Sequence, residues 1–175
     1  MQINNFPWPW AAVDDYVDPI FLAKLQTLPA VFKHYKHYFL DDPEVAVCRD
    51  EFLQYLQNIY QSRNSWFETF PNRRYFKEYD VCGHISWQAE DHEYPVHDEH
   101  PDKVLSFITY IWPESNLGTA LHESEQSPPV TTVEWKPGRT LVFAGQNQKT
   151  WHSYKSQASS RLTLCVFIVR KGSSF

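Results

Sequence analysis

The densest group of ionisable side chains in this sequence is the segment 91–103, Asp-His-Glu-Tyr-Pro-Val-His-Asp-Glu-His-Pro-Asp-Lys. Side chains two residues apart on an extended strand point to the same face, so His97 and Glu99 can present an imidazole and a carboxylate to one metal ion. Such a pair supplies two of the three ligands of a facial metal triad. His100 and Asp102 have the same spacing, but the proline between them disfavours a regular strand, and His97 with Glu99 is the preferred pair.

The third ligand must come from a distant strand, because one extended segment cannot occupy three cis positions on an octahedral ion. His152, in the sequence Thr-Trp-His-Ser, is the best candidate. Nine residues later, Arg161 begins the most apolar predicted strand, and a guanidinium at the start of a buried strand needs an anionic partner. Its planar fork of N–H donors suits a carboxylate. The sequence therefore predicts a three-ligand metal site and a buried arginine with a carboxylate partner, which is either a ligand or an acid flanking the strands.

The elements that would position these residues change character near residue 78. Residues 1–78 are predicted to be mainly helical. A short helix is expected over about 19–28, because Asp18 is a good N-cap and a proline follows it. A longer helix is expected from about 43 to 63, where apolar residues recur at intervals of three and four.

Residues 79–171 contain about eight short β-rich runs separated by turn residues. The predicted strands are Tyr79–Trp87, Glu93–His97, Val104–Trp112, Thr119–His122, Thr131–Trp135, Thr140–Phe143, Thr150–Tyr154 and Arg161–Arg170. We expect one domain over residues 1–175, mainly β with N-terminal helices. Its core would be a double-stranded β-helix, or cupin-like jelly roll, packed against those helices.

Other histidines favour structural interpretations. His84 alternates with Cys82 and Ser86 on one face of a predicted strand; this face lines a cavity or faces solvent, and a solvated face is the preferred interpretation. His34 and His37 have the spacing of a pair on one helix face. No third ligand lies near them in the sequence, so they are assigned to a polar helix face.

Composition excludes several function classes. A net charge of -5 with scattered lysines and arginines argues against a nucleic-acid-binding surface. No run approaches 18 apolar residues, so no membrane span is expected. The three cysteines contain no CxxC pair, which argues against a disulfide framework and a cysteine zinc site. We therefore expect a cytoplasmic protein in a reducing compartment, as a monomer or homodimer.

Taken together, the candidate site residues carry a family resemblance. The arrangement His97-x-Glu99, then His152, then Arg161-x-Thr163 resembles the iron(II)- and 2-oxoglutarate-dependent dioxygenases. Within that family it is most similar to the prolyl-hydroxylase branch and its bacterial and phage relatives. One departure is the acid, which is glutamate where aspartate is commoner.

Further segments extend the resemblance over most of the chain. Residues 103–111 are similar to the family's strand after the metal motif, and the Gly-Thr-Ala-Leu sequence at 118–121 is similar to another family strand. The opening segment 6–16 resembles the family's N-terminal strand and its lead-in to a helix.

The resemblance implies a reaction and a role for each site residue. The cofactors would be Fe(II), 2-oxoglutarate and O₂. The cosubstrate would be decarboxylated to succinate and CO₂ while an unactivated C–H bond of a protein side chain or small metabolite is hydroxylated. The iron ligands would be His97, Glu99 and His152; Arg161 would bind the far carboxylate of 2-oxoglutarate, with hydrogen bonds from Tyr110 and Thr163.

Two alternatives remain open at this point. One is a cupin-like metalloprotein without 2-oxoglutarate chemistry, in which Arg161 would have no role in ligand binding. The other is a catalytically silent jelly-roll interaction module, which the unusual glutamate favours.

Overall fold

The computed structural model describes residues 2–173, which form two α-helices and ten β-strands. The helices are α1 (Pro19–Leu25) and α2 (Arg49–Thr69). The strands are β1 (Trp10–Val13), β2 (Lys36–Tyr38), β3 (Tyr79–Gln88), β4 (Glu93–His97), β5 (Lys103–Trp112), β6 (Thr119–Leu121), β7 (Thr131–Val133), β8 (Thr140–Ala144), β9 (His152–Lys155) and β10 (Arg161–Arg170). Short 3-10 turns cover Leu28–Ala30 and Pro43–Cys48.

The strands form two antiparallel sheets. The six-stranded sheet has the order β1-β8-β5-β10-β3-β2, and the four-stranded sheet has the order β4-β9-β6-β7. From β3 onwards the chain passes back and forth between the sheets, which is the winding of a double-stranded β-helix. The predicted fold, a mainly β jelly roll with N-terminal helices, is confirmed.

The larger hydrophobic core lies between the helices and the outer face of the six-stranded sheet. Phe21 of α1, Phe52 of α2 and Val166 of β10 are fully buried in it. A smaller apolar cluster lies between the sheets and comprises Trp8, Tyr110, Leu121, Val133, Trp135, Leu141 and Phe143. Because this inner cluster is small, the inner faces of the strands leave room for polar side chains.

Helix α1 begins where it was predicted to begin. The Asp18 carboxylate accepts hydrogen bonds from the backbone N–H groups of Ile20 and Phe21. The helix ends at Leu25 rather than near residue 28. Pro29 has no N–H to donate to the carbonyl of Leu25, so the helix cannot continue through it.

The second helix differs from the prediction at both ends. Its first six predicted residues form a 3-10 turn, and α2 itself continues six residues past Arg63 to Thr69. The polar residues at 64 and 65 weaken the helical pattern in the sequence. The helix nevertheless continues past them, because packing stabilises its end: Trp66 and Phe67 of α2 are both buried.

All eight predicted strands are present, with ends within two residues of the prediction. Strand β1 matches the N-terminal strand implied by the resemblance. Strand β2 was not predicted, and the assignment of His34 and His37 to a helix face is wrong: His37 lies in β2, opposite Ser86 of β3. Three residues are too few for a periodic signal, so only the pairing with β3 defines this strand.

Across residues 2–173 no helix has both the length and the apolar character that crossing a membrane requires.

Candidate active site

A cavity of about 130 Å³ lies between the two sheets. Five of the six residues predicted for the site line it: His97, Glu99, His152, Arg161 and Thr163. Its remaining wall residues are His37, His84, Ser86, Gln88, Tyr94, Lys103, Ile108, Thr119, Tyr154, Cys165 and Phe167. Residues far apart in the sequence therefore meet here because β4, β9 and β10 bring their inner faces to one space.

The two histidines predicted as metal ligands are paired across neighbouring strands. His97 at the end of β4 lies opposite His152 at the start of β9, and their ring centroids are 4.2 Å apart. The Nδ1 atom of His97 lies 3.0 Å from the Pro95 carbonyl oxygen, and that of His152 lies 2.7 Å from the Thr150 carbonyl oxygen. A carbonyl only accepts, so each Nδ1 carries the proton and each Nε2 keeps a lone pair for a metal.

Burial keeps both imidazoles neutral. It is the main cause that lowers the pKa of His152 to about 4, and repulsion by His97 adds to it, while the Glu99 charge opposes it. Burial likewise lowers the pKa of His97. At neutral pH both side chains are therefore in the state that binds metal ions.

Asp98, between His97 at the end of β4 and Glu99 just beyond it, fixes the geometry of this corner. Its carboxylate accepts a 2.6 Å hydrogen bond from the Gln148 N–H and another from the Thr150 hydroxyl. These bonds tie the end of β4 to the loop that leads into β9. The backbone that carries His97 and His152 is thus held from both strands.

Glu99 is buried, with both carboxylate oxygens already engaged. Ser106 donates a 2.6 Å hydrogen bond to Oε1, and the Lys103 ammonium lies 2.7 Å from Oε2. Burial alone would raise the pKa of Glu99, but the charges of Lys103 and His152 and these hydrogen bonds lower it to about 2. As arranged, no three His, Cys, Asp or Glu side chains within residues 2–173 are grouped closely enough to hold a metal ion.

The second His-x-acid pair lies outside the cavity. Asp102 forms an ion pair with Arg170, with Nε to Oδ1 at 3.0 Å. His100 is exposed, and its Nδ1 accepts a hydrogen bond from the Asp102 N–H. These contacts favour His97 and Glu99 over His100 and Asp102 as the site pair.

Arg161 is 1% exposed, yet much of its guanidinium is unpaired. Within the described chain, its Nε and Nη1 atoms have no hydrogen-bond partner. The group instead lies over aromatic rings, 4.4 Å from the centroid of Tyr154 and 4.9 Å from that of Trp135. Burial lowers its pKa. An unpaired buried cation is costly, so the structure provides a place for an anion here.

The two residues predicted to assist Arg161 differ in position. Thr163 lines the cavity two residues along β10, on the same face. Tyr110 lies behind the wall: its hydroxyl donates a 2.8 Å hydrogen bond to Thr119, and its ring stacks on Trp135. Thr119, and not Tyr110, therefore lines the cavity.

Three of the cavity residues that were not predicted as part of the site bear on its chemistry. Tyr154 follows His152 by two residues, so strand alternation could have identified it. His84 was assigned to a solvated face, but it lines the cavity and stacks on His37 with centroids 4.0 Å apart. Lys103 gave no sequence signal beyond its charge, because its contact with Glu99 depends on the turn before β5.

The residues present suit an anionic ligand beside a metal. Two neutral imidazoles and one carboxylate are a facial donor set for Fe(II), with a charge that leaves the ion cationic. Arg161 supplies unpaired donors for a carboxylate in the same cavity. The contact between Lys103 and Glu99 is the feature that a bound metal would have to change.

Comparison with known proteins finds a likeness in structure and none in sequence. The sequence matches no family profile and no curated protein. A prolyl-4-hydroxylase from Pseudomonas putida has a TM-score of 0.63 with 16% identity and covers 93% of each chain. An oxidoreductase of the 2OG-Fe(II) oxygenase family from Burkholderia pseudomallei has a TM-score of 0.65 with 17% identity, over 94% of this chain and 86% of that one.

A viral enzyme extends the comparison. The collagen prolyl hydroxylase of Paramecium Bursaria Chlorella virus-1, solved as its 2OG complex, has a TM-score of 0.61 with 12% identity, over 92% of this chain and 96% of that one. At these identities the likeness concerns the fold. The chain therefore has the fold of the 2OG-Fe(II) oxygenases and of their prolyl-hydroxylase branch, as the sequence resemblance predicted.

Proposed function

We propose that this protein is an Fe(II)- and 2-oxoglutarate-dependent dioxygenase that hydroxylates an unactivated C–H bond of a protein side chain or small metabolite. The observation that carries the proposal is Arg161. It is a buried guanidinium with unpaired donors, in the same cavity as two neutral histidines whose Nε2 atoms are available.

Arg161 would bind the far carboxylate of 2-oxoglutarate. The planar fork of a guanidinium matches a carboxylate, and the aromatic rings around it exclude competing water. Thr163, on the same face of β10, has its hydroxyl at the cavity wall and would donate a hydrogen bond. The side chain of Tyr110 would support Thr119 through its hydroxyl rather than reach the ligand.

His97, Glu99 and His152 would hold the metal in the same cavity. Iron, when bound with 2-oxoglutarate and O₂, supplies the oxidant that hydroxylates the substrate, with release of succinate and CO₂. The protein orients the ligands: the carbonyls of Pro95 and Thr150 fix both imidazole tautomers.

The substrate would approach through an adjoining cavity of about 150 Å³. The two cavities share His37, Ser86, Gln88, Tyr94 and Tyr154. The rings of Tyr94 and Tyr154 are stacked with centroids 5.3 Å apart, and Tyr94 is 41% exposed. This pair forms an aromatic wall between solvent and the predicted metal ligands, where it would limit access of water to the reaction.

The test is binding of 2-oxoglutarate, measured by calorimetry with Mn(II) in place of iron so that no turnover occurs. We expect the wild type to bind and Arg161→Ala to bind about 100-fold more weakly, because a charged partner is lost from a buried site. Mn(II) binding should survive this change. Arg170→Ala, at the exposed far end of the same strand, is the matched control and should bind like wild type.

Equal binding by wild type and Arg161→Ala would support the cupin-like alternative instead. Absence of 2-oxoglutarate binding in the wild type would contradict the proposal outright. Succinate formation by the iron-loaded protein in air tests the reaction itself.

One observation favours a second candidate function, a catalytically silent jelly-roll module. The carboxylate of Glu99 is held by Lys103 and Ser106 rather than left open. A silent module would bind no divalent metal and form no succinate from 2-oxoglutarate, which separates it from the proposed oxygenase.

A further inference from the structure

The ion pair between Lys103 and Glu99 differs from the surface ion pairs of this protein. The Lys103 side chain is 19% exposed and that of Glu99 is 3% exposed, with 2.7 Å between Nζ and Oε2. The same ammonium lies 3.8 Å from the ring centroid of Phe167. By contrast, the pair of Lys155 with Glu93 is 56% and 68% exposed. Lys103 is thus placed inside the candidate site.

Lys103 compensates a charge that would otherwise be costly. Removing one partner of a buried ion pair leaves an uncompensated buried charge. Ser106 satisfies the other carboxylate oxygen, so Glu99 is fully stabilised without a metal. A divalent ion that binds Glu99 therefore competes with a partner already in place.

The charges of the cavity make this competition strong. Lys103 and Arg161 are cationic side chains that line it, and Glu99 is the carboxylate that faces them there. A divalent ion would add two positive charges next to the buried Glu99 carboxylate, where electrostatic interactions are screened less than in bulk water. A dianionic cosubstrate would offset them.

Resting on the proposed function, we propose that Lys103 is the resident counter-ion of Glu99, which a divalent metal must displace. Lys103 would thereby be a positioning residue that weakens metal binding until 2-oxoglutarate is present. The coupling is reciprocal: if 2-oxoglutarate raises the affinity for the metal, the metal raises the affinity for 2-oxoglutarate by the same factor.

The experiment measures Mn(II) affinity by electron paramagnetic resonance, with and without 2-oxoglutarate and without turnover. A unit charge about 6 Å from a divalent ion changes affinity by about tenfold even at the dielectric constant of water. We therefore expect Lys103→Met to bind Mn(II) alone at least about tenfold more tightly than wild type. The increase in affinity caused by 2-oxoglutarate should shrink in this variant.

Two variants serve as controls. Lys103→Arg keeps the charge and should retain the weak Mn(II) affinity of the wild type. Lys155→Met removes an exposed lysine from β9, the strand that carries His152, and should leave Mn(II) affinity unchanged.

A measurement on the wild type covers the case in which Lys103→Met does not fold. The rate at which an amine-reactive reagent labels Lys103, followed by peptide mass spectrometry, should rise severalfold when Mn(II) and 2-oxoglutarate are added. Unchanged labelling, or equal Mn(II) affinities of wild type and Lys103→Met, would overturn this inference and leave the proposed function standing. If the wild type binds neither Mn(II) nor 2-oxoglutarate, the proposed function fails as well.

Discussion

At the residue scale, the candidate site combines side chains in three charge states. His152 is neutral because it is buried, whereas Glu99 stays ionised because Lys103 and Ser106 stabilise its carboxylate. Arg161 is a buried cation whose neighbours are aromatic rings rather than an acid. The cavity is consequently prepared for a ligand that carries negative charge.

Arg161 gives a stability prediction that is independent of catalysis. Because its unpaired donors are costly to bury, Arg161→Met should raise the free energy of unfolding of the ligand-free protein by about 1–2 kcal/mol. Urea denaturation monitored by tryptophan fluorescence measures this change.

Arg170→Met, at the other end of β10, is the control and should change stability by less than about 1 kcal/mol, since Arg170 is exposed. A large loss of stability in Arg161→Met would mean that the guanidinium serves the fold through its ring contacts, and would weaken the assignment of Arg161 to ligand binding.

At the element scale, strand pairing decides which residues meet. His97 faces His152 because β4 pairs with β9, and β6 pairs with the other edge of β9. The sheet is closely packed where β6 begins: a Cβ added to Gly118 would lie 1.7 Å from the Val133 carbonyl oxygen. Only glycine fits at this point, so Gly118 permits the pairing of β6 with β7.

Gly118→Ala should therefore destabilise the protein by about 3 kcal/mol, because the added methyl group would push the β7 backbone away. Thermal unfolding with a chemical-denaturation check measures the loss. Gly172→Ala is the control: an added Cβ there meets nothing within 4 Å, so the only cost, about 1 kcal/mol, should come from placing alanine at the positive φ of +77°. Similar stability of the two variants would contradict the proposed steric role of Gly118.

At the scale of the whole molecule, the net charge is -5 with the histidines neutral, and four of the eight histidines line the interior cavity. Burial is the main cause that lowers the pKa of His84 to about 3, and repulsion by His37 and Lys103 adds to it, while Glu99 opposes it. In the unfolded chain the same imidazole has a pKa of about 6.5. The unfolded state therefore takes up a proton first as the pH falls.

Acidification should accordingly destabilise the protein through His84. The stability it contributes is present above pH 6.5 and is lost progressively as the pH falls from about 6.5 towards 3. Between pH 7 and pH 5 the loss from His84 alone should be about 2 kcal/mol. Urea denaturation at several pH values measures it.

His84→Phe should reduce this pH dependence, because the replacement ring would pack against Phe39 and Phe167 without titrating. His152, whose pKa burial lowers to about 4, should keep its own contribution. His34→Gln, an exposed site, should leave the dependence unchanged. If His84→Phe keeps the full slope, other groups carry the acid sensitivity.

The sequence alone determined the strands of the jelly roll and the identities of its ligand-like residues. Short β-rich runs separated by turn residues predicted every strand from β3 to β10, because β-branched and aromatic residues favour strands and turn residues end them. Spacing along single strands, together with the family resemblance, brought His97 and Glu99 into one proposed site with His152 and Arg161.

Only the tertiary structure decided what surrounds those residues. The three residues of β2 are a strand because β3 offers them an edge, and the end of α2 is helical because Trp66 and Phe67 are buried. The ion pair of Lys103 with Glu99 and the unpaired donors of Arg161 are likewise invisible in the sequence. The Lys103–Glu99 pair joins residues only four apart, but it forms because the turn before β5 directs both side chains into the cavity. The other features depend on contacts between distant elements, and the energy of such contacts is not encoded in any local pattern.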